Sequence, residues 1–217
     1  SLQFKMLINY QKLFLKIKMS FRKEIKYRLT LSDQKMLKND LFRKGMKLLF
    51  AKRKINSLYF DTDNLDFFKN SEEGVLPRKK VRIRWYDNNL KKLSKETKIS
   101  SIEGRFKLSE AYEINQFLSE NNINLLDRTY GLLKPKILIS YIREYYELNN
   151  IRLTFDTCIK YQNFKSISRS FKNETESVME VKTNFNTDDD YIKKIIKYPS
   201  SRFSKYARGI LLIESLA

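Results

Sequence analysis

Histidine is missing altogether from the 217 residues, which removes His-based triads, imidazole metal ligands and the commonest general base. The single cysteine, Cys158, leaves no intramolecular disulfide and no Cys-rich zinc site, and fits a reducing, cytoplasmic compartment. Only five glycines are present, none in a G-x-G-x-x-G or G-x-x-x-x-G-K pattern, so no backbone cradle for phosphate is expected. If the chain holds phosphate, side chains do the holding. No apolar run approaches the roughly 20 residues of a membrane-spanning helix. Acidic residues are scarce too: 25 Asp+Glu stand against 44 Lys+Arg, a formal net charge of +19. That imbalance asks for an anionic partner, whether nucleic acid, a membrane surface or phosphate in another form.

What is present is aromatic and strand-like. Aromatic residues make up 13% of the chain, too many for a disordered basic tail, so the charge sits on a folded body. The length suits one domain with a sizeable core. Residues 19–217 are expected to form it, after a basic extension over residues 1–18. That extension spaces Phe4, Leu7, Ile8, Phe14 and Leu15 as a helix would, with Lys5, Lys12 and Lys16 elsewhere on the surface. It reads as a helix packed on the domain or as a segment before a start at Met19-Ser20; peripheral association with a membrane, or with a membrane protein, stays open.

The organising stretch is Lys79-Lys80-Val81-Arg82-Ile83-Arg84-Trp85-Tyr86. Val81, Ile83 and Trp85 alternate with charges, the period of a strand with one buried face. The same design recurs in Phe21–Leu29, Leu93–Ile99, Gly104–Leu108, Ile137–Leu148, Ile151–Thr157 and Val178–Lys182, while Ile55–Asp61 reads as a further strand. Asp87-Asn88-Asn89 and Asn149-Asn150 are hairpin turns. Helices are expected from Ser32-Asp33 to about Lys47 with an interruption near Gly45, from a Ser109 cap to about Asn121, and from Thr187 to a stop at Pro199. Asn163–Ser177 is expected to be a loop, and Ser201–Ile213 to close the chain with Arg202, Lys205 and Arg208.

The polar faces collect Arg22, Glu24, Lys26 and Arg28; Arg82 and Arg84; Glu96 and Lys98; Arg105 and Lys107; Arg143; Arg152; Glu180 and Lys182. Alternation alone serves two architectures equally: an open sheet with a solvated charged face that binds RNA, and a barrel with cations inside and helices on its apolar exterior. The carboxylates tip the balance. Glu24, Glu96 and Glu180 have little use in a nucleic-acid groove. A lumen that holds oligophosphate with a divalent cation needs both signs, because Arg and Lys grip phosphate oxygens while carboxylates hold the metal. For any one Glu the competing reading is a salt bridge to a neighbouring Lys.

Nine short motifs in order carry a resemblance. They are Glu24 with Lys26-Tyr27, Leu58-Tyr59-Phe60-Asp61, Arg82-Ile83-Arg84-Trp85-Tyr86, Glu96-Thr97-Lys98, Arg105-Phe106-Lys107, Tyr141-Ile142-Arg143-Glu144, Arg152-Leu153-Thr154-Phe155-Asp156-Thr157, Glu180-Val181-Lys182 and Phe203-Ser204-Lys205-Tyr206. Over residues 20–213 the chain resembles the catalytic domain of the vacuolar transporter chaperone (VTC) family, within the triphosphate tunnel metalloenzymes. The resemblance implies an α+β fold: an eight-stranded antiparallel β-barrel, the triphosphate tunnel, with a charged lumen and helices outside. It also implies a polyphosphate polymerase that uses ATP and Mn²⁺ or Mg²⁺, with inorganic polyphosphate or pyrophosphate as partner and no specific nucleic acid.

By that resemblance Lys26, Arg82, Arg84, Lys98, Arg143, Lys182 and Lys205 grip phosphates. Lys107, Tyr141 and Arg152 support them, with Ser204 near a terminal phosphate. Glu180 holds the metal and Glu24 is a second candidate. The first strand carries one Glu-x-Lys where hydrolytic relatives have Glu-x-Glu-x-Lys, which leans towards the polymerase. A tripolyphosphatase or nucleoside triphosphatase of the same fold, and a non-enzymatic RNA or polyphosphate binder, are the alternatives.

Overall fold

Strand alternation governs most of the chain, and in the computed structural model the strands join one antiparallel sheet. Residues 18–19, 22–102, 104–113, 123–164 and 171–214 are described. The strands are β1 (Lys18–Met19), β2 (Arg22–Leu29), β3 (Lys47–Asp61), β4 (Arg78–Tyr86), β5 (Leu93–Ser100), β6 (Arg105–Tyr112), β7 (Leu125–Asp127), β8 (Gly131–Leu148), β9 (Ile151–Asn163), β10 (Phe171–Asn173) and β11 (Ser177–Asn184). Among the described residues four helices accompany them: α1 (Leu31–Arg43), α2 (Asp66–Glu73), α3 (Asp189–Ile195) and α4 (Lys205–Glu214).

The sheet runs β1-β6-β5-β4-β3-β8-β9-β11-β2, with β7 and β10 paired to β8 and β9. Its two edges, β1 and β2, are one stretch of chain interrupted by residues 20–21, so the sheet curls until its ends meet through the backbone. An Arg105–Glu24 ion pair of 3.1 Å ties β6 to β2 across that join. The curled sheet of eight long strands is the expected tunnel.

Two apolar clusters cover its outside. Tyr27, Leu29, Leu153, Phe155, Met179 and Val181 from the sheet pack with Leu37 and Leu41 of α1 and Ile192 of α3. On the other flank Leu58, Ile83, Ile137, Ile139 and Tyr161 pack with Phe67 of α2 and with Tyr206 and Ile210 of α4. Burying these faces drives folding and leaves the alternate residues no direction but the lumen.

Several boundaries differ from expectation. Thr30, not Ser32, caps α1, accepting a hydrogen bond from Asp33 N at 3.0 Å. The helix stops at Arg43 because Gly45 adopts φ +92°, and from Lys47 the chain is already strand β3, well before Ile55. Ser109 begins no helix, since it pairs with Glu96 inside β6. The remainder of that expected helix, residues 114–122, lies outside the described residues, as does the expected helix over residues 1–17. Lys18 belongs to the sheet, where it pairs with Lys107. The expected loop after β9 contains the short strand β10, paired with Lys160–Gln162. No helix among the described residues is long and apolar enough to cross a membrane.

Helix α4 approaches β8 and β9 unusually closely at Gly209. A Cβ there would lie 2.5 Å from Ile137 Cδ1 and 2.7 Å from Tyr161 Cδ1, and both residues are fully buried. Gly209→Val should therefore cost about 1–3 kcal/mol through overpacking and lower the melting temperature by several degrees. An unchanged transition in a thermal melt would show that the helix can lift off the sheet without cost.

Candidate active site

Within the lumen, β4 contributes Lys80, Arg82 and Arg84 from one face of the strand. β5 sets Glu96 opposite Arg82 and Lys98 opposite Lys80, and β6 sets Lys107 opposite Lys98. From the far wall β8 supplies Tyr141 and Arg143, β9 Thr154 and Asp156, and β11 Glu180 and Lys182, with Thr154 and Lys26 on either side of Glu180. Because these residues occupy alternate positions on paired strands, the register places them with little freedom.

Each carboxylate gathers cations. Glu96 Oε2 accepts from Arg82 Nε at 2.8 Å and Nη2 at 2.5 Å, and Oε1 from Lys107 Nζ at 2.6 Å. Burial alone would raise the Glu96 pKa, but Arg82, Arg84 and Lys107 hold the carboxyl well below the usual carboxylate range. Asp156, fully buried, receives a two-pronged bond from Arg143, Nε to Oδ1 at 2.6 Å and Nη2 to Oδ2 at 2.7 Å, and a third bond from Lys205 Nζ at 2.6 Å. Glu180 is held more loosely. Its nearest cations are Lys182 at 3.5 Å and Arg143 at 3.6 Å. Burial works against its charge, yet Lys182, Arg143, Lys26 and Lys205 keep it ionised far below its ordinary pKa. Glu24 lies 3.5 Å from Lys182 on its inner side and 3.1 Å from Arg105 on its outer side.

Arg82 also donates to Tyr59 OH at 2.7 Å, and Arg84 donates to Ser57 Oγ at 3.1 Å and Tyr141 OH at 3.2 Å. Lys205 stands 4.8 Å from the centre of the Tyr141 ring. One end of the lumen is crossed by the segment leading into α4: Lys26 Nζ donates to Phe203 O and Lys80 Nζ to Ser204 Oγ, both at 2.8 Å.

The sequence-derived residues Lys26, Arg82, Arg84, Glu96, Lys98, Lys107, Tyr141, Arg143, Glu180, Lys182, Ser204 and Lys205 thus converge on one lumen. Arg152 stands apart: it is exposed, and with Lys182 and Glu147 it lines a cavity of about 150 Å³ at a tunnel mouth. Three further lumen residues carry no site role in the sequence reading. Asp156 and Thr154 sit in phase with Arg152, and Lys80 in phase with Arg82; that phase was the available signal. Asp61, a motif residue, does structural work instead. Its carboxylate accepts from Thr62 N, Phe67 N and Phe68 N and from Tyr206 OH, fixing the start of α2 against α4.

The donor set admits a divalent cation. Thr154 is 2% exposed and its Oγ1 has no hydrogen-bond partner, and it faces Glu180, the carboxylate least committed to cations. Among the described residues no three Asp, Glu, Cys or His side chains cluster. One carboxylate with a hydroxyl, completed by phosphate and water oxygens, is an ordinary set for Mg²⁺ or Mn²⁺.

An antiparallel sheet curled around buried cations, with carboxylates spaced among them, is the design of a triphosphate tunnel. Residues 21–214 match the VTC domain, and the chain belongs to that family. No curated protein matches the sequence. Among solved structures it is similar to a candidate adenylate cyclase from Bacillus halodurans, at 12% identity and a TM-score of 0.57 over 87% of this chain and 95% of that one. A Pyrococcus horikoshii protein aligns at 14% identity and 0.56 over 90% and 99%. A conserved hypothetical protein of Pyrococcus furiosus aligns at 14% and 0.51 over 86% and 99%. At such identities the likeness shows the fold.

Crowded cations bind their protons weakly. Burial and then nearby charge push Lys98 down to about 7 and Lys80 down to about 8, with the Lys98 side chain the more exposed of the two. A bound polyanion would raise both again, so tripolyphosphate binding should take up protons from about pH 7 upward, more at about pH 8 than at about pH 7, and weaken as pH rises past these values. Calorimetry in buffers of different ionisation enthalpy measures the uptake; binding without it would mean that both lysines are already charged.

Proposed function

We propose that this protein is a metal-dependent phosphotransferase that lengthens inorganic polyphosphate with the γ-phosphate of ATP. The observation that supports this most is the charge count of the lumen. Among the described residues, Lys26, Lys80, Arg82, Arg84, Lys98, Lys107, Arg143, Lys182 and Lys205 face only Glu24, Glu96, Asp156 and Glu180. Such a surplus matches a chain of phosphates, and the alternatives must explain it without one.

In the transfer, a terminal oxygen of the polyphosphate attacks the γ-phosphorus, and the bond from that phosphorus to the β–γ bridging oxygen breaks. ADP leaves with the electron pair. The nucleophile is already anionic, so no base is needed; the task is to hold two repelling anions in line. Arg84, Arg143, Lys98 and Lys182 supply the positive wall, and Arg82 and Lys205 are kept in place by Glu96 and Asp156. Glu180, opposite Thr154 and with Glu24 beyond Lys182, would hold Mn²⁺ or Mg²⁺, which would supply charge neutralisation.

Hydrolysis would instead require a base for water. Glu96 and Glu180 are held so firmly ionised that they are poor proton acceptors, which favours transfer to phosphate. RNA binding needs cations on an accessible face, whereas here the buried Arg82 and Arg84 lie inside.

With ATP, Mn²⁺ and a pyrophosphate primer, the protein should yield ADP and a ladder of polyphosphate on a gel. Stoichiometric orthophosphate without a ladder would establish the hydrolase; neither product, alongside tight RNA binding, would establish the binder. Glu180→Gln keeps the shape and loses the charge, so turnover should fall by more than about 10-fold. Near-normal turnover of that variant at saturating Mn²⁺ would remove Glu180 from the metal site.

A further inference from the structure

We propose that the tunnel mouth at the Tyr86 end seats the nucleoside of the nucleotide, with Arg53, Tyr86 and Tyr145 forming a stacking platform for the base. The proposal rests on the reading of the lumen as a triphosphate site and adds how the donor enters it.

The inner row of β4 runs Arg78, Lys80, Arg82, Arg84, Tyr86, so the two ends of the tunnel differ in chemistry. Near Arg78 lie further cations: after its burial, repulsion from Arg202 and Arg105 lowers the Arg78 pKa. The segment from Phe203 to Lys205 crosses that end. At the opposite end the row finishes in an aromatic ring. Arg53 Cζ lies 5.1 Å from the centre of the Tyr86 ring and 5.1 Å from that of Tyr145. Phe50 meets Tyr145 edge-on, with centroids 5.9 Å apart and planes at 82°.

These rings do not serve a core. Phe50 is 48% exposed and Tyr86 36%, because β4 pairs with β3 only as far as Ile55–Tyr86 and leaves the first half of β3 uncovered on that side. The position of Tyr86 is nevertheless fixed by the turn that follows. Asp87 N donates to Lys54 O at 2.8 Å, Lys54 N donates to Asp87 Oδ1 at 3.0 Å, and Asn56 Nδ2 donates to Asp87 O at 2.8 Å. An exposed set of planar groups held at fixed positions is suited to receive a planar ligand.

Distance and charge agree with a nucleotide. Tyr86 is two residues from Arg84, and Tyr145 two residues from Arg143, on the same strand faces, a span of roughly 7 Å. A base at the platform therefore leaves its phosphates directed at Arg84 and Arg143. Next to Tyr145 on β8 comes Glu147, which with Arg152 and Lys182 lines the mouth cavity. Rings and a guanidinium present faces rather than hydrogen-bonding edges to a base, so stacking should accept different bases.

The test measures affinity of the full chain for ATP and for inorganic tripolyphosphate in wild type, Tyr86→Ala and Tyr86→Phe. Tyr86→Ala should lower ATP affinity about tenfold relative to tripolyphosphate, and Tyr86→Phe, which keeps the ring, should restore the wild-type ratio. Retained tripolyphosphate binding shows that each variant is folded. An unchanged ratio in Tyr86→Ala, or equal losses for both ligands, overturns the platform and leaves the phosphate site standing. Failure of wild type to bind tripolyphosphate would overturn the lumen reading and the platform with it.

Discussion

Like charges repel, and this fold collects many of them in a confined space of low dielectric. The arrangement is tolerable because most of the deeply placed cations are bound to a nearby acceptor before any ligand arrives. Glu96 bridges Arg82 and Lys107, and Asp156 bridges Arg143 and Lys205. Taking one partner from such a buried set leaves an uncompensated charge, which typically costs several kcal/mol. The carboxylates therefore act first as clamps that aim cations. Glu180 is the exception, its nearest cations standing 3.5 and 3.6 Å away.

Much of this was legible in the residues. Period-2 alternation fixed which side chains share a face, because a strand offers only two sides. The sequence could not say which cations find which acids, since Arg82–Glu96 joins neighbouring strands whereas Lys205–Asp156 joins a helix start to a strand 49 residues away. Asp156 looked like one polar residue among several on its strand. Its role follows from Arg143 lying directly across from it in the β8–β9 register, on the turn side of the bulge between Ser140 and Ile142.

The errors have physical causes too. Ser109 looked like a helix cap, yet β5 offers Ser109–Tyr112 a row of backbone partners, and pairing overrides local propensity there. Gly45 was noticed as an interruption when it is an ending: with φ +92° it turns the chain out of α1 and into β3. The long β3 then has two characters. Its second half is buried from Ile55 onward, and its first half is exposed, a division that alternation cannot reveal because it depends on where β4 stops.

All but two of the groups that line the lumen stand on strands of one hydrogen-bonded sheet, which makes their positions rigid. The exceptions are Ser204 and Lys205, which belong to the entry of α4. Their placement depends on how closely that helix lies on β8 and β9, and the bare backbone at Gly209 is what permits the approach. Tyr206 reinforces it by stacking on Tyr59 with ring centres 5.1 Å apart and by donating to Asp61. Tyr59 in turn accepts from Arg82. Helix docking on the outside and cation placement on the inside are thus linked through two residues, so a fault in the apolar packing of α4 would reach the lumen cations without touching a single charged group.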